Sequence, residues 1–347
     1  MAQGAGAGVA PLHIGLLFGG RSGEHEISIS SARTVARGLR SGANADRYQL
    51  IPLYIDRSGH WCGSTTAQAV LNGAEPPTPL DIGLRALPLE AGEVDVWFPV
   101  LHGPNGEDGT VQGLFRLMRQ RFVGSGVLGS ALAMDKISMK AAFAAAGLPQ
   151  VLYRPVLAEE LAAMEGLCEQ LEHSIGYPCF VKPANLGSSL GISKAADRGA
   201  LIAALQLAAD HDSRMLVEQG LQVRELECAV LGTTSLEASV AGEVRYDTDW
   251  YDYETKYTEG HASIQIPAQV PAQVERQAQR LAMAAVQAVG ASGLSRVDFF
   301  YENGAERLLL NEINTMPGFT AQSMYPMLWE ASGLPLVELL HRLVQLA

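Results

Sequence analysis

The segment SRVDFFYENGAERLLLNEINT, residues 295–315, constrains the fold of this chain more than any other. Two runs rich in apolar residues flank an Asn303-Gly304 pair, the pattern of two strands joined by a turn. Side chains alternate across a strand, so Arg296 and Asp298 share one face of the first strand, while Glu312 and Asn314 share one face of the second. Whether the two sets meet is a matter of parity. A two-residue turn at 303 and 304 pairs positions whose numbers add to an odd value and sends Asp298 and Glu312 to opposite faces. A loop of three or five residues centred near Ala305 brings them together. In that case two carboxylates and an amide oxygen form the hard donor set that Mg²⁺ takes when nucleotide phosphates complete its shell. A solvated sheet face with a few charges competes with this reading, because exposed Asp and Glu are the rule. The apolar triple Leu308, Leu309, Leu310 weighs against it by making the strands interior, where carboxylates need a counter-charge or a metal.

At 347 residues and 48% hydrophobic, the chain can bury two or three cores, since single cores rarely grow past about 250 to 300 residues. Its 25 Lys and Arg against 37 Asp and Glu leave a net charge of -12. That opposes a broad basic surface, so neither nucleic acid nor an anionic membrane is expected as partner, and an anionic ligand must be met by a few local cations. No apolar run reaches the roughly 18 residues of a membrane helix, and no Lys or Arg precedes Arg21 to start a signal peptide, so a cytoplasmic protein is expected. Cys62, Cys168, Cys179 and Cys228 are scattered without a C-x-x-C pair, which argues against a zinc site or a disulfide framework.

Residues 1–10 are small, uncharged and Gly-rich and read as a disordered tail. IGLLFGG, YQLIPLYID and VDVWFPVLHG then read as strands, separated by a helical stretch, EISISSARTVARGLR, and a Pro/Gly-rich excursion at 72–92. Such alternation predicts an α/β fold with a doubly wound parallel sheet at the N-terminus. Residues 130–149, SALAMDKISMKAAFAAAGLP, have helical spacing with a stop at Gly147 and Pro149, and the first domain boundary falls within this segment. Beyond it lie a mixed unit with a helix around 197–210, and a C-terminal unit with a long helix, VERQAQRLAMAAVQAVG, ahead of the hairpin.

Cationic and donor groups for a phosphate are few. Lys182 ends the apolar strand YPCFVK, and the Gly-Ser loop NLGSSLG follows, a plausible phosphate grip although such loops are usually plain turns. It is not a Walker A sequence. Glu218 and Glu225 sit at strand ends where they could accept from an adenine amino group and ribose hydroxyls. The first loop, GGRSGEHEIS, places Glu24 at the mouth of the sheet, where it either meets a ligand or simply complements the dipole of the following helix. The loop lacks G-x-G-x-x-G, which removes the main support for a dinucleotide-dependent oxidoreductase.

Taken in order, GGRSGEHEIS, LHGPNGEDGTVQG, GSGVLGSALAMDK, FVKPANLGSSLGIS, VEQGL, YDYETKY, SRVDF and NEINTMPGFTAQS resemble the D-alanyl-D-alanine ligases of the ATP-grasp superfamily over nearly everything after residue 11. Gln219, where some relatives carry Lys, and the 72–92 excursion depart from the pattern. The resemblance implies a substrate domain over 11–135, a central ATP-grasp subdomain over 136–221 and a C-terminal one over 222–347, with ATP gripped between the last two. It implies that Lys136, Lys182 and Lys256 contact ATP phosphates, that Glu218 and Glu225 hold adenine and ribose, and that Asp298, Glu312 and Asn314 bind two Mg²⁺ or Mn²⁺ ions. Glu24 would bind the ammonium of the first D-alanine, in a hydrogen-bond chain with Ser188 and Tyr257 that closes a lid at 251–260. Arg296 and the Gly318 amide would cradle an oxyanion, Ser323 would take the second substrate's carboxylate, and His102 would lie near that substrate. The intact Lys256-Tyr257 pair favours an amine as second substrate over D-lactate. The resemblance further implies a homodimer. Another ATP-grasp ligase with a different second substrate, D-serine or D-lactate, is the alternative, and a nucleotide-binding module without turnover would have lost a lysine or metal ligand.

Overall fold

The structure, a computed structural model, describes residues 10–187, 191–246 and 262–347. Strands β1 (Leu12–Gly19), β2 (Tyr48–Ile55), β3 (Trp61–Cys62), β4 (Val96–Val100) and β5 (Arg121–Phe122) form a sheet in the order β3-β2-β1-β4-β5. All pairs are parallel except the short edge strand β3. The central strands are buried on both faces, which is why they read as continuous apolar runs. Helices His25–Leu39 and Ser64–Leu71 cover one face, and the last helix, Leu336–Leu346, packs into the same core through Leu339, Leu340 and Leu343. Gly38 allows that approach, since a Cβ there would stand 2.4 Å from Leu340 Cδ1. Tyr48 Oη and His341 Nδ1, 2.6 Å apart, link the two ends of the chain.

The second sheet holds β6 (Tyr153–Leu157), β7 (Cys179–Pro183), β8 (Ser193–Ala195) and β9 (Arg214–Gln219) in the order β6-β9-β7-β8, all antiparallel. Val156, Cys179, Val181, Met215 and Val217 face a core closed by helices Met164–Ser174 and Arg198–Ala209. The opposite face carries Phe180, Lys182 and Glu218, as period-two alternation requires.

The third sheet, β10 (Arg224–Gly232), β11 (Leu236–Tyr246), β12 (Ala262–Gln265), β13 (Gly293–Glu302) and β14 (Arg307–Asn314), runs β12-β11-β10-β13-β14 and is antiparallel. The amphipathic helix Ala272–Val289 covers one face through Val274, Ala278, Ala282, Ala285, Val286 and Val289. Alanines at these positions bring it close to the sheet, and Gly290, at φ +65, ends it in the left-handed conformation that a β-carbon disfavours.

One expectation needs correction. Residues 130–149 are not one helix but the end of Val127–Met134 and the whole of Lys136–Ala145, broken at Asp135, whose ψ is 103°. The Asp135 carboxylate accepts from the Ser138 amide at 2.7 Å and from Arg214 Nη1 at 2.6 Å. Capping by a short acidic side chain outweighs helical continuity here.

Candidate active site

The hairpin does bring Asp298 and Glu312 together, though not by the expected loop. Residues 303–306 make a four-residue turn, so Glu302 pairs with Arg307 and Phe299 with Leu310, an odd sum throughout. Continued unchanged, that register would set Glu312 opposite Val297 and point it at the helix-covered core. A bulge at Asn311 adds one residue to β14, after which Asp298 pairs with Glu312 and Arg296 with Asn314. The bulge therefore lets Leu308, Leu310 and Ile313 stay in one core while Glu312 and Asn314 join Arg296 and Asp298 on the other face.

On that face Arg296 forks onto Asp298, Nε to Oδ1 and Nη2 to Oδ2, both at 2.7 Å, and Nε lies 2.9 Å from Glu227 Oε2. Strand pairing explains the third carboxylate: Glu227 on β10 stands opposite Asp298, so Glu227, Asp298 and Glu312 form a row across three strands. Asn314 Nδ2 donates to Asp298 Oδ2 at 3.3 Å. Burial penalises the guanidinium charge, but the neighbouring carboxylates outweigh it and hold Arg296 firmly protonated. The donor set fits a hard divalent ion, because Asp298, Glu312 and Asn314 offer oxygens from one surface, with Glu312 near enough to Lys136 to act on its charge. Among the described residues no three His, Cys, Asp or Glu side chains are clustered tightly enough to bind an ion unaided.

The cations face this row. Lys136, at the start of its helix, donates from Nζ to the Leu186 carbonyl at 2.6 Å, and its backbone amide bonds to the Ala184 carbonyl. Burial lowers its pKa, partly offset by Glu312. Lys182 lies diagonally from Glu218 across β7 and β9, with Nζ 2.6 Å from Oε2. Lys140 Nζ is 2.8 Å from Oε1 of the same carboxylate. Burial alone would raise the Glu218 pKa, but Lys140 and Lys182 bring it down to about 2. Since the unfolded value is about 4.3, this group adds stability that is complete above that pH and is lost as pH falls towards about 2. A Glu218→Gln chain is accordingly less stable than the parent at neutral pH, and the gap in urea midpoint narrows between pH 4.5 and 2.

Loops from both ends of the chain meet above. A Cβ at Gly103 would stand 3.0 Å from Glu24 Oε2, and one at Gly187 3.3 Å, so the Glu24 carboxylate lies between the LHG loop and the Gly-Ser loop. His102 is buried, with Nδ1 3.1 Å from the Met316 carbonyl and Nε2 2.9 Å from Ser31 Oγ; the same hydroxyl accepts from the Phe319 amide at 3.1 Å. These bonds tie the turn carrying Gly318 to the loop after β4 and to the helix His25–Leu39. A Cβ at Gly318 would come 2.6 Å from Ser323 Oγ, so a side chain there would push the Ser323 hydroxyl aside, and Ser323 Oγ accepts from the Thr320 amide at 2.9 Å. Glu225 is half-buried on β10 and acts electrostatically on Lys182. Ser188, Lys256 and Tyr257, and with them the lid at 251–260, lie outside the described residues.

Two polar residues of the site were missed in the sequence. Lys140 follows Lys136 by four positions and so shares its helical face. Glu227 follows Glu225 by two and so shares its strand face. Periodicity could have found both.

Two antiparallel sheets with a row of acidic residues facing buried lysines, beneath an N-terminal parallel sheet, define an ATP-grasp protein. Residues 13–125 match the family model described as D-ala D-ala ligase N-terminus, and residues 142–345 match that described as D-ala D-ala ligase C-terminus. The chain is 64% identical over 342 residues to the D-alanine–D-alanine ligase of Synechococcus sp. (strain RCC307), covering 96% of this chain and 97% of the relative. It is 56% identical to that of Parasynechococcus marenigrum (strain WH8102), covering 97% and 99%. Among solved structures, the D-alanine-D-alanine ligase from Coxiella burnetii superimposes with a TM-score of 0.82 at 34% identity, covering 97% of this chain and 94% of that one. The VanG D-Ala:D-Ser ligase from Enterococcus faecalis gives the same score and identity, covering 97% and 99%. The chain belongs to the D-alanine–D-alanine ligase family.

Proposed function

We propose that this protein joins two D-alanine molecules into D-alanyl-D-alanine at the expense of ATP, releasing ADP and phosphate, for peptidoglycan precursor synthesis in the cytoplasm. The observation that carries this reading is the register at the bulge, which sets Asp298 against Glu312 with Arg296 and Asn314 beside them. A carboxylate is a poor acylating agent, so the first D-alanine must be phosphorylated before the amine of the second can attack it. Bound Mg²⁺ or Mn²⁺ at Asp298, Glu312 and Asn314 would neutralise charge on the transferring phosphoryl group. Lys136, Lys182 and, from the lid, Lys256 grip the phosphates, while Glu218 and Glu225 receive adenine and ribose. Glu24 holds the first substrate's ammonium, supported by Ser188 and Tyr257. Arg296 and the Gly318 amide receive the oxyanion of the tetrahedral intermediate. Ser323 takes the second carboxylate, and His102 fixes the Met316–Phe319 turn that presents both.

The reading extends to three units, 11–135, 136–221 and 222–347, and to a homodimer. No described helix is long and apolar enough to cross a membrane. Incubation with ATP, Mg²⁺ and D-alanine, following ADP and dipeptide, tests the proposal. Turnover with D-alanine and none with L-alanine is expected, and L-alanine working equally well contradicts it. Likeness to a D-Ala:D-Ser ligase at 34% identity favours one competing second substrate, so D-serine and D-lactate belong in the same assay. A mixed dipeptide outpacing D-alanyl-D-alanine would favour that alternative.

A further inference from the structure

The helix that begins directly after Glu24 carries Ser31, a fully buried serine. Its hydroxyl meets two groups from distant parts of the chain, the Phe319 amide at 3.1 Å and His102 Nε2 at 2.9 Å. On the far side of the ring, His102 Nδ1 faces the Met316 carbonyl at 3.1 Å, with Glu107 Oε1 4.0 Å away. Only one placement of protons pairs every donor here with an acceptor. An amide can only donate, so Ser31 Oγ accepts from Phe319 and has its single proton left for Nε2. A carbonyl can only accept, so the ring proton sits on Nδ1. Serine and histidine thus hold the turn from both ends, by the carbonyl before Pro317 and the amide after Gly318, and neither bond uses the amide of Gly318 itself.

We infer that Ser31 is a positioning residue for dipeptide formation: its hydroxyl holds His102 in the Nδ1-protonated form and, through that ring, sets the Gly318 amide relative to Glu24. The inference rests on the proposed function, in which Glu24 holds the first substrate and the Gly318 amide receives the oxyanion. The frame is closed at its other end, since Ser22 Oγ donates to the His102 carbonyl at 2.6 Å and accepts from the Glu24 amide at 3.2 Å. Removing the Ser31 hydroxyl takes an acceptor from the Phe319 amide and a donor from His102 Nε2. The ring proton is then free to move to Nε2, which turns a bare Nδ1 lone pair towards the Met316 carbonyl oxygen, a repulsive contact that opens the turn. An oxyanion donor works only at close range of the developing charge, so a small displacement of Gly318 costs rate steeply. Lys136, Lys182 and Glu218 stand on other elements, so nucleotide binding is spared.

Long-range proton–nitrogen correlation NMR on chains carrying nitrogen-labelled histidine reads which ring nitrogen is protonated, with the His102 signals identified by their loss in His102→Gln. The parent is expected to show His102 protonated at Nδ1 alone, and a proton on Nε2 overturns the inference. Ser31→Ala is expected to shift His102 towards the other tautomer and to lower kcat for dipeptide formation at least about tenfold. Its Kd for Mg²⁺-ATP, measured by calorimetry, stays within about twofold of the parent's. Ser31→Cys, whose thiol is a weak donor and acceptor, is expected to fall between the two in kcat. A merely structural serine would lower the melting temperature of Ser31→Ala and leave kcat and tautomer unmoved, and that result overturns the inference. Should Ser31→Ala fail to fold, the parent's tautomer and the rate of Ser31→Cys decide in its place, a rate equal to the parent's counting against the inference. A parent chain that makes no dipeptide from D-alanine would instead overturn the proposed function, while the tautomer still tests the clamp by itself.

Discussion

Replacing Glu312 by Gln is expected to lower the rate of dipeptide formation by about a thousandfold or more while leaving the fold intact. Gln keeps one carbonyl oxygen but removes the charge that pairs with a divalent ion, and loss of about 4 kcal/mol of phosphoryl-transfer stabilisation corresponds to that factor. Weaker hold on the divalent ion also removes part of what neutralises the nucleotide phosphates, so binding of Mg²⁺-ATP should weaken in parallel. Glu312 is only half-buried and lies off the helix-covered core, so the melting temperature should move by no more than about 2–4 °C, as for a loss near 1 kcal/mol in a chain of this size. ADP release measured against Mg²⁺ concentration, together with a melt, separates the two effects. A variant retaining more than a tenth of the parent rate at saturating Mg²⁺ would remove Glu312 from the metal site.

The second large effect is expected at Arg296. Arg296→Ala should cut kcat by about a hundred- to a thousandfold, the usual cost of losing one oxyanion donor. Arg296 is a cation shared by Asp298 and Glu227, so its removal takes charge compensation from two largely buried carboxylates and costs stability in metal-free buffer. A divalent ion takes over part of that neutralisation, so Mg²⁺ should raise the melting temperature of Arg296→Ala more than that of the parent. Arg296→Lys retains charge but not the fork of donors, and should recover stability better than rate. Equal Mg²⁺ stabilisation of parent and Arg296→Ala would contradict the shared arrangement.

Which polar residues share a face was legible in the sequence, but how the faces meet was only partly so. Alternation in SRVDFF and LLLNEIN puts Asp298 with Arg296 and Glu312 with Asn314. The four-residue turn and the bulge at Asn311 could not be read, because a bulge is a compromise between the packing of Leu308, Leu310 and Ile313 and the need to turn Glu312 outward. Lys182 was recognisable as a strand-end cation, yet its pairing with Glu218 depends on β7 and β9 being neighbours in a sheet of order β6-β9-β7-β8, which local patterns do not reveal. The break at Asp135 was hidden by the helical spacing on either side of it. Glu24, His102 and Gly318 converge from distant parts of the chain, and no spacing rule brings them together. Their joint role came from the resemblance of their motifs, and their proximity comes from the structure.

Everything proposed for the site requires the row formed at the bulge to bind metal together with nucleotide. Electron paramagnetic resonance of Mn²⁺ titrated into the protein, with and without ATP, measures it directly. Saturable uptake by the parent chain that strengthens when ATP is present is expected, with uptake at least about tenfold weaker when Asp298→Asn and Glu312→Gln are combined. Equal Mn²⁺ uptake by the parent and the double variant in the presence of ATP would contradict it.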